Sequence, residues 1–111
     1  MNVVTLIGNL CTDVELRELG TDKKLAKFLL AIDRPKDGAD FVWVTVWDRQ
    51  AEVSSAYLRK GSRVAIDGRL RSRTWEEEGK RRDAVEVVAN RVQFLDSPAS
   101  DDAPFASAAA S

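Results

Sequence analysis

The sequence contains no histidine and only one cysteine, Cys11, among its 111 residues. Without histidine the chain lacks the most common general base, the base of Ser–His and Cys–His nucleophile pairs, and the most common transition-metal ligand. A single cysteine excludes an intrachain disulfide. Only a carboxylate metal site is left open, and the acidic residues show no ligand-like spacing. We therefore expect no enzyme, no metal and no cofactor.

Long apolar runs are also missing. No segment approaches the ~20 apolar residues that a membrane span requires. The N-terminus does not combine a charged segment with the apolar core of a signal peptide. These absences predict a cytoplasmic protein without a membrane partner. With 44% hydrophobic and 32% charged residues, the length suits one small globular domain plus a tail.

The net charge of −1 hides an uneven distribution of charge along the chain. Residues 59–82 carry nine Lys/Arg against four Asp/Glu, whereas residues 96–111 contain three aspartates and no basic residue. The whole-chain pI of about 5.5 argues weakly against a nucleic-acid partner, and the local basic excess argues for one. Residues 96–111 are otherwise mostly Ala and Ser, which predicts a disordered tail after a domain at 1–95.

Five strands and one helix are predicted from apolar runs, β-branched residues and turn residues. The strands are expected at 3–10, 23–33, 41–48, 62–75 and 83–95, and the helix at 50–60. Periodicity alone leaves 23–33 ambiguous, and its surroundings favour a strand. Asp48 is expected to cap the helix and Gly61 to end it. Gly8 indicates a bulge or a bend in the first strand, and Gly68 indicates a bend in the fourth.

This order predicts an all-β fold, a five-stranded Greek-key barrel with one helix between the third and fourth strands, followed by the tail. That arrangement is the OB-fold, whose sheet face and loops bind oligonucleotides and oligosaccharides. A small β-sandwich offers no reason for the central helix.

The third predicted strand, FVWVTVWD, is apolar or aromatic on both faces. Alternation places Phe41, Trp43, Thr45 and Trp47 on one face and three valines on the other. Either both faces are buried, or the aromatic face is an exposed surface on which flat ligands stack. The strand alone leaves these two interpretations about equal.

The stretch GRLRSRTW, residues 68–75, carries flat cationic and aromatic side chains at every second position. These are Arg69, Arg71, Arg73 and Trp75. In a strand they share one face, and Leu70 and Thr74 point the other way, toward a core. The alternative is a solvated strand face with an incidental tryptophan.

A cationic groove that follows the phosphates, together with rings on which bases stack, is what holds single-stranded nucleic acid. The two strands above supply both ingredients, and the charged hairpin tip EEEGKRR adds Lys80 and Arg81. Duplex DNA hides the faces of its bases, and the sequence shows no helix-turn-helix, zinc motif or basic recognition helix. We therefore expect single-stranded DNA as the partner.

The chain also resembles the bacterial single-stranded-DNA-binding proteins, a family of homotetramers built on the OB-fold. The segment NVVTLIGNLCTDVELR (2–17) is similar to the opening strand of the family, and AEVSSAYLRKGSRVAIDGRLRSRTW (51–75) is very close to the family pattern. The resemblance covers roughly residues 2–95. It implies a nucleoid-associated tetramer that wraps single-stranded DNA during replication, recombination and repair, with little sequence preference.

Residue by residue, the resemblance places Phe41, Trp47 and Trp75 at the positions of base-stacking aromatics. It places the three arginines on the strand that leads to Trp75. Trp43 either stacks or fills an interface.

The chain departs from the family pattern in its loops and tail. The loop at 34–40 is short and lacks an aromatic residue, which predicts a smaller footprint per subunit. The tail segment DDAPF resembles the acidic tip through which the family recruits replication and repair proteins. The candidate partner-binding residues are Asp101, Asp102, Pro104 and Phe105. Six further residues follow Phe105, so it lacks the free carboxylate that partners of the family grip.

A second hypothesis is an OB-fold accessory protein or primosome-like adaptor whose main role is to bind other proteins. A dimer with weak affinity for long oligonucleotides would favour it. A nuclease or another enzyme on an OB-fold is disfavoured by the missing histidine and the missing metal-ligand spacing.

Overall fold

A computed structural model of the chain describes residues 1–95, which form six strands and one helix. The elements are β1 (Val4–Leu10), β2 (Glu15–Leu19), β3 (Lys23–Asp33), β4 (Ala39–Trp47), α1 (Asp48–Tyr57), β5 (Arg63–Glu77) and β6 (Lys80–Phe94). The predicted order is confirmed, with one strand more than expected. That strand, β2, consists of ELREL, and all five of its residues are exposed. Because it buries neither face, no apolar alternation marks it in the sequence, and its pairing with β3 holds it in place.

The strands form one sheet in the order β1-β5-β6-β4-β3-β2, and an additional pairing between β1 and β3 closes the sheet into a barrel. The closed ring contains five strands, and β2 extends it as an edge strand on β3. This is the predicted OB-fold. All pairings are antiparallel except that between β4 and β6, which is parallel and spans only two residue pairs.

The core lies inside the barrel and is built from alternate residues of the long strands. On β3, Ala26, Phe28 and Leu30 are buried, and Val44 and Val46 follow the same rule on β4. This alternation confirms that residues 23–33 form a strand, because a helix would not bury every second residue. No helix in the described part of the chain is long and apolar enough to cross a membrane.

The helix differs from its prediction at both ends. Trp47 occupies the cap position without a side-chain hydrogen bond, and Asp48, with φ at 55°, is the first helical residue. The expectation that Asp48 caps the helix is therefore wrong. The helix ends at Tyr57 because Leu58 turns to an extended conformation and buries its side chain in the core. Gly61 adopts a positive φ of 96° in the following turn.

Two glycines allow backbones to approach each other. β1 pairs with β5 without a register shift through Gly8, so the glycine marks no bulge; a Cβ there would collide with the carbonyl oxygen of Ala31 on β3. At Gly68, where a bend is predicted, the β5–β6 register shifts between Asp67 and Gly68. The shift leaves Asn90 of β6 as an extra residue, a β-bulge.

Beyond Gly68, β5 and β6 continue as a ribbon that ends in a two-residue turn at Glu78 and Gly79. β1 stops pairing with β5 at Gly68, and β4 pairs with β6 only at Val87 and Val88, so beyond Leu70 the ribbon has no third strand among the described residues. The side chain of Asn2 forms two hydrogen bonds of the kind that a neighbouring strand would form with β5. Its amide donates to the carbonyl of Leu70 at 2.8 Å and accepts from the Leu70 N–H at 2.9 Å.

Candidate nucleic-acid interface

One outer face of the sheet gathers most of the side chains that the sequence singles out, and we call it the aromatic–arginine face. It comprises Phe41, Trp43, Thr45 and Trp47 of β4, Glu86 and Val88 of β6, and Arg69, Arg71, Arg73 and Trp75 of β5. Alternation puts these residues on one side of each strand. The register joins the strands, because Thr45 lies beside Val88, Arg69 opposite Val88, and Arg71 opposite Glu86.

The β4 aromatics lie open on this face. Phe41 is 60% exposed and Trp43 is 47% exposed, whereas Val44 and Val46 on the other side of the strand are fully buried. No described element covers the two rings, which favours an exposed stacking surface over a strand that is buried on both sides. Lys27 of β3 lies over the ring of Trp43, with its Nζ 5.6 Å from the ring centroid.

Trp47 is half-buried at the other end of β4. It lines a surface depression of about 470 Å³ together with Arg69, Val88 and Asn90. The depression therefore connects the aromatic strand to Arg69 of β5.

The ribbon carries the rest of the predicted stripe. Arg69 and Arg73 are exposed, Arg71 is half-buried, and Trp75 is 39% exposed. The Cζ of Arg73 lies 5.3 Å from the centroid of the Trp75 ring, within the range of a cation–π contact. The indole Nε1 of Trp75 donates to Glu77 at 3.4 Å.

The back of the ribbon is not a core face, which corrects one expectation. Leu70 is 45% exposed and Thr74 is also exposed. The sequence predicts burial for both because their alternation continues that of Val64 and Ile66. β5 loses its β1 neighbour at Gly68, so its side chains on this side are open to solvent, although Val87 opposite Leu70 on β6 is still buried.

The hairpin register separates the basic residues of the tip. Lys80 pairs with Glu77, and Arg82 pairs with Trp75, so both lie on the side of the ribbon that carries Trp75. Arg81 lies on the opposite side, where its Nε is 3.5 Å from Asp83. The structure thus brings Lys80 to the aromatic–arginine face, places Arg81 behind it, and adds Arg82.

Sequence reasoning missed Arg82 and Lys27. A two-residue turn at Glu78-Gly79 fixes Arg82 opposite Trp75, so the turn length was the signal for Arg82. Lys27 required the β3–β4 register, which pairs it with Thr45. The four tail candidates, at 101, 102, 104 and 105, lie outside the described residues.

A carboxylate lies at the centre of this cationic surface. Glu86 is only 5% exposed, and it accepts hydrogen bonds from Arg71 and Thr45. Burial by itself would raise the pKa of the Glu86 carboxyl. The hydrogen bonds from Arg71 and Thr45 and the positive charges of Arg71 and Arg73 outweigh burial and hold this pKa below its usual value.

The face offers stacking and phosphate contacts and little other chemistry. The aromatic rings of β4 and of Trp75 suit flat groups, and the guanidinium groups of β5 suit phosphates. Within residues 1–95, no group of three or more cysteine, aspartate or glutamate side chains is arranged to hold a metal ion.

The barrel topology and this exposed face define an OB-fold protein with a surface of the nucleic-acid-binding type. The model of the single-strand binding protein family matches residues 1–95. The chain belongs to that family, which confirms the resemblance found in the sequence.

Individual relatives agree with the family match. The chain is 46% identical over 103 residues to the single-stranded DNA-binding protein of Clostridium tetani, a match that covers 86% of this chain and 71% of that one. It is 40% identical over 104 residues to the single-stranded DNA-binding protein of Treponema pallidum, covering 87% and 59% of the two chains. It is 43% identical over 103 residues to single-stranded DNA-binding protein 3 of Clostridium acetobutylicum, covering 86% and 72%.

Proposed function

We propose that the chain binds single-stranded DNA on the aromatic–arginine face, without marked sequence preference. Bases stack on Phe41, Trp43, Trp47 and Trp75, while Arg69, Arg73, Lys80 and Arg82 meet the phosphates. The observation that carries the proposal is the open exposure of the β4 rings beside an arginine stripe on one continuous face. Family membership and the names of the relatives support it. Arg81, on the other side of the ribbon, adds only longer-range attraction.

Two physical arguments favour a single strand over a duplex. Stacking on aromatic rings needs free base faces, which a duplex keeps inside its stack, and it contributes about 1–3 kcal/mol per base. The face is a sheet surface with exposed rings and presents no helix of the kind that enters a major groove.

We further propose that residues 1–95 are the DNA-binding domain and that residues 96–111 form a tail that contacts replication and repair proteins. The tail contains the candidate partner-binding residues, two aspartates followed by Pro104 and Phe105. These roles place the protein in the cytoplasm, at the nucleoid.

The proposed assembly is a homotetramer in which β1 supplies the main contact. Ile7 in this strand is 50% exposed, and Val3, directly before it, is 66% exposed. From Val4 to Gly8, β1 pairs with β5 along one edge, and its other edge has no strand partner among the described residues. Apolar side chains beside an unpaired edge favour pairing with another copy of the chain. Light scattering that gives the mass of a single chain at micromolar concentration would contradict this assembly.

The deciding experiment is a titration of intrinsic tryptophan fluorescence with dT oligomers of increasing length. We expect quenching, with ~4–16 nucleotides covered per OB-fold, because all three tryptophans of the chain lie on the proposed face. The control is a duplex of the same length. Equal affinity for duplex and single strand would overturn the proposal, and weak binding to long oligomers by a dimeric chain would favour the adaptor function.

A further inference from the structure

Glu86 is an unexpected residue on a surface that attracts DNA, because it places a negative charge in the middle of the arginine stripe. Its side chain is 6% exposed, although Arg71 and Arg73 beside it are 37% and 48% exposed. A buried carboxylate in this position requires a structural reason, since it repels phosphate and loses its own hydration.

Both carboxylate oxygens of Glu86 are used. Oε1 accepts from Nη2 of Arg71 at 2.7 Å and from Nε of the same residue at 3.2 Å. Oε2 accepts from Oγ1 of Thr45 at 3.0 Å. The Nε of Arg73 lies farther away, 3.9 Å from Oε1. Glu86 on β6 thus joins β4 to β5, at the place where the backbone ladder between β4 and β6 covers only two residue pairs.

The arginines of the stripe therefore fall into two kinds. Arg71 directs its Nε and Nη2 edge, which is the edge suited to bind an anion, at Glu86. Arg69 forms no ion pair within residues 1–95, and Arg73 stacks on Trp75 with only a long contact to the carboxylate.

We propose that Glu86 is a positioning residue for single-strand binding, which holds Arg71 against the sheet so that Arg69 and Arg73, but not Arg71, meet the phosphates. The inference rests on the proposed function. A phosphate that took Arg71 from Glu86 would leave a buried carboxylate without its main partner, and this cost keeps the pair intact when DNA binds. Arg71 then has a structural role, because it binds Glu86, which also accepts a hydrogen bond from Thr45 and so connects β4 to the ribbon.

The test is the salt dependence of dT-oligomer binding, because each phosphate contact on a single strand contributes about 0.7 to the slope of log K against log salt. We expect Arg73→Gln to reduce the slope by about 0.7. Arg71→Gln leaves the slope unchanged, although it lowers the melting temperature. Glu86→Gln frees Arg71 for a phosphate and steepens the slope by about 0.7.

Two further variants separate positioning from bulk charge. Asp83→Asn removes one negative charge from the same strand, three residues away and on the other side of the ribbon, and leaves the slope unchanged. The double variant Glu86→Gln/Arg71→Gln, which contains no unpaired buried carboxylate, returns the slope to its wild-type value.

The inference is overturned if Arg71→Gln flattens the slope as much as Arg73→Gln does. It is also overturned if Glu86→Gln leaves the slope unchanged, or if Asp83→Asn steepens it equally. Should Glu86→Gln fail to fold by circular dichroism, the comparison of Arg71→Gln with Arg73→Gln decides, since both side chains are partly exposed. A wild-type chain that does not bind dT oligomers refutes the proposed function itself, a result distinct from binding with the wrong slopes.

Discussion

The two halves of β5 follow the same alternation of side chains with opposite consequences. Before Gly68 the strand is part of the barrel wall, and Val64 and Ile66 are fully buried. After Gly68 it belongs to the ribbon, and Leu70, in the same alternation, is largely exposed. Alternation therefore indicates burial only where the sheet closes around a core, and on the ribbon it only sorts side chains between two open faces.

This comparison assigns different tasks to the two halves. The barrel half supplies apolar burial, which stabilises the fold at roughly 25 cal/mol per Å² of apolar surface removed from water. The ribbon half contributes little burial and presents rings and charges. Substitutions in the first half should change stability, and substitutions in the second half should change binding.

The largest expected effect comes from truncation in the barrel half. Ile66→Ala should lower the free energy of unfolding by about 2–5 kcal/mol, because it leaves a cavity in a closed core. The matched ribbon variant Leu70→Ala should change it by no more than about 0.5 kcal/mol. Urea unfolding measures both. A loss at Leu70 comparable to that at Ile66 would mean that another copy of the chain covers the ribbon.

The next largest effect is expected at Trp75, the aromatic residue of the ribbon half. Trp75→Ala should weaken binding to a dT oligomer by about 1–3 kcal/mol through lost stacking. The salt slope should stay the same because no phosphate contact is removed. Trp75→Phe, which keeps a ring, serves as the control and should retain much of the affinity. A fall in melting temperature without any loss of affinity would contradict a role in stacking.

A smaller effect concerns the pH dependence of stability at the ribbon half, where Arg71 pairs with Glu86. The pKa of Glu86 is lowered in the folded chain, so the unfolded chain binds more protons in the acid range and stability falls as the pH decreases. The contribution of Glu86 is complete above its ordinary pKa of 4.5 and is lost as the pH drops through the lower, folded value. Urea unfolding between pH 6 and 3 should show this dependence weakened in Glu86→Gln. If stability depends on pH in the same way in Glu86→Gln and in the wild-type chain, Glu86 does not contribute to the loss of stability in acid.

The smallest effect concerns the turn of the ribbon. Glu78 and Gly79 both have positive φ, at 54° and 76°, as a type I′ hairpin turn requires. Glutamate is strained there, and Glu78→Asn should raise the free energy of unfolding by up to about 1 kcal/mol. Glu76→Gln, which removes a charge from a regular strand position, is the control for electrostatics. Equal gains from both variants would trace the stabilisation to charge and not to backbone strain.

Much of the barrel could be predicted from the sequence, because apolar and β-branched runs bounded by turn residues mark its long strands, although periodicity alone leaves 23–33 ambiguous between helix and strand. The missed strand β2 has no buried face, so its pairing with β3 leaves no pattern in its own five residues. The exposure of Leu70 could not be predicted either, since it depends on where β1 stops and not on residues near position 70.

The candidate site divides in the same way. The aromatic and arginine positions followed from alternation and from the family resemblance, both of which are local in sequence. The role of Glu86 depends on three strands meeting, and an isolated glutamate among valines on β6 gives no sign of its partners.

The helix supports the β-bulge at Asn90, near the base of the ribbon. The side chain of Gln50 on α1 satisfies the backbone there, donating to the Asn90 carbonyl at 2.6 Å and accepting from the Val92 N–H at 3.1 Å. Trp75 lies seven residues beyond Gly68, about 23 Å along a strand at 3.3 Å per residue. At that distance, an angular change of about 8° at the base of the ribbon corresponds to a displacement of about 3 Å at the indole. The two hydrogen bonds of Gln50 and the β4–β6 pairs at Val87 and Val88 hold the ribbon at its base, so the position of Trp75 depends on contacts at the far end of the ribbon.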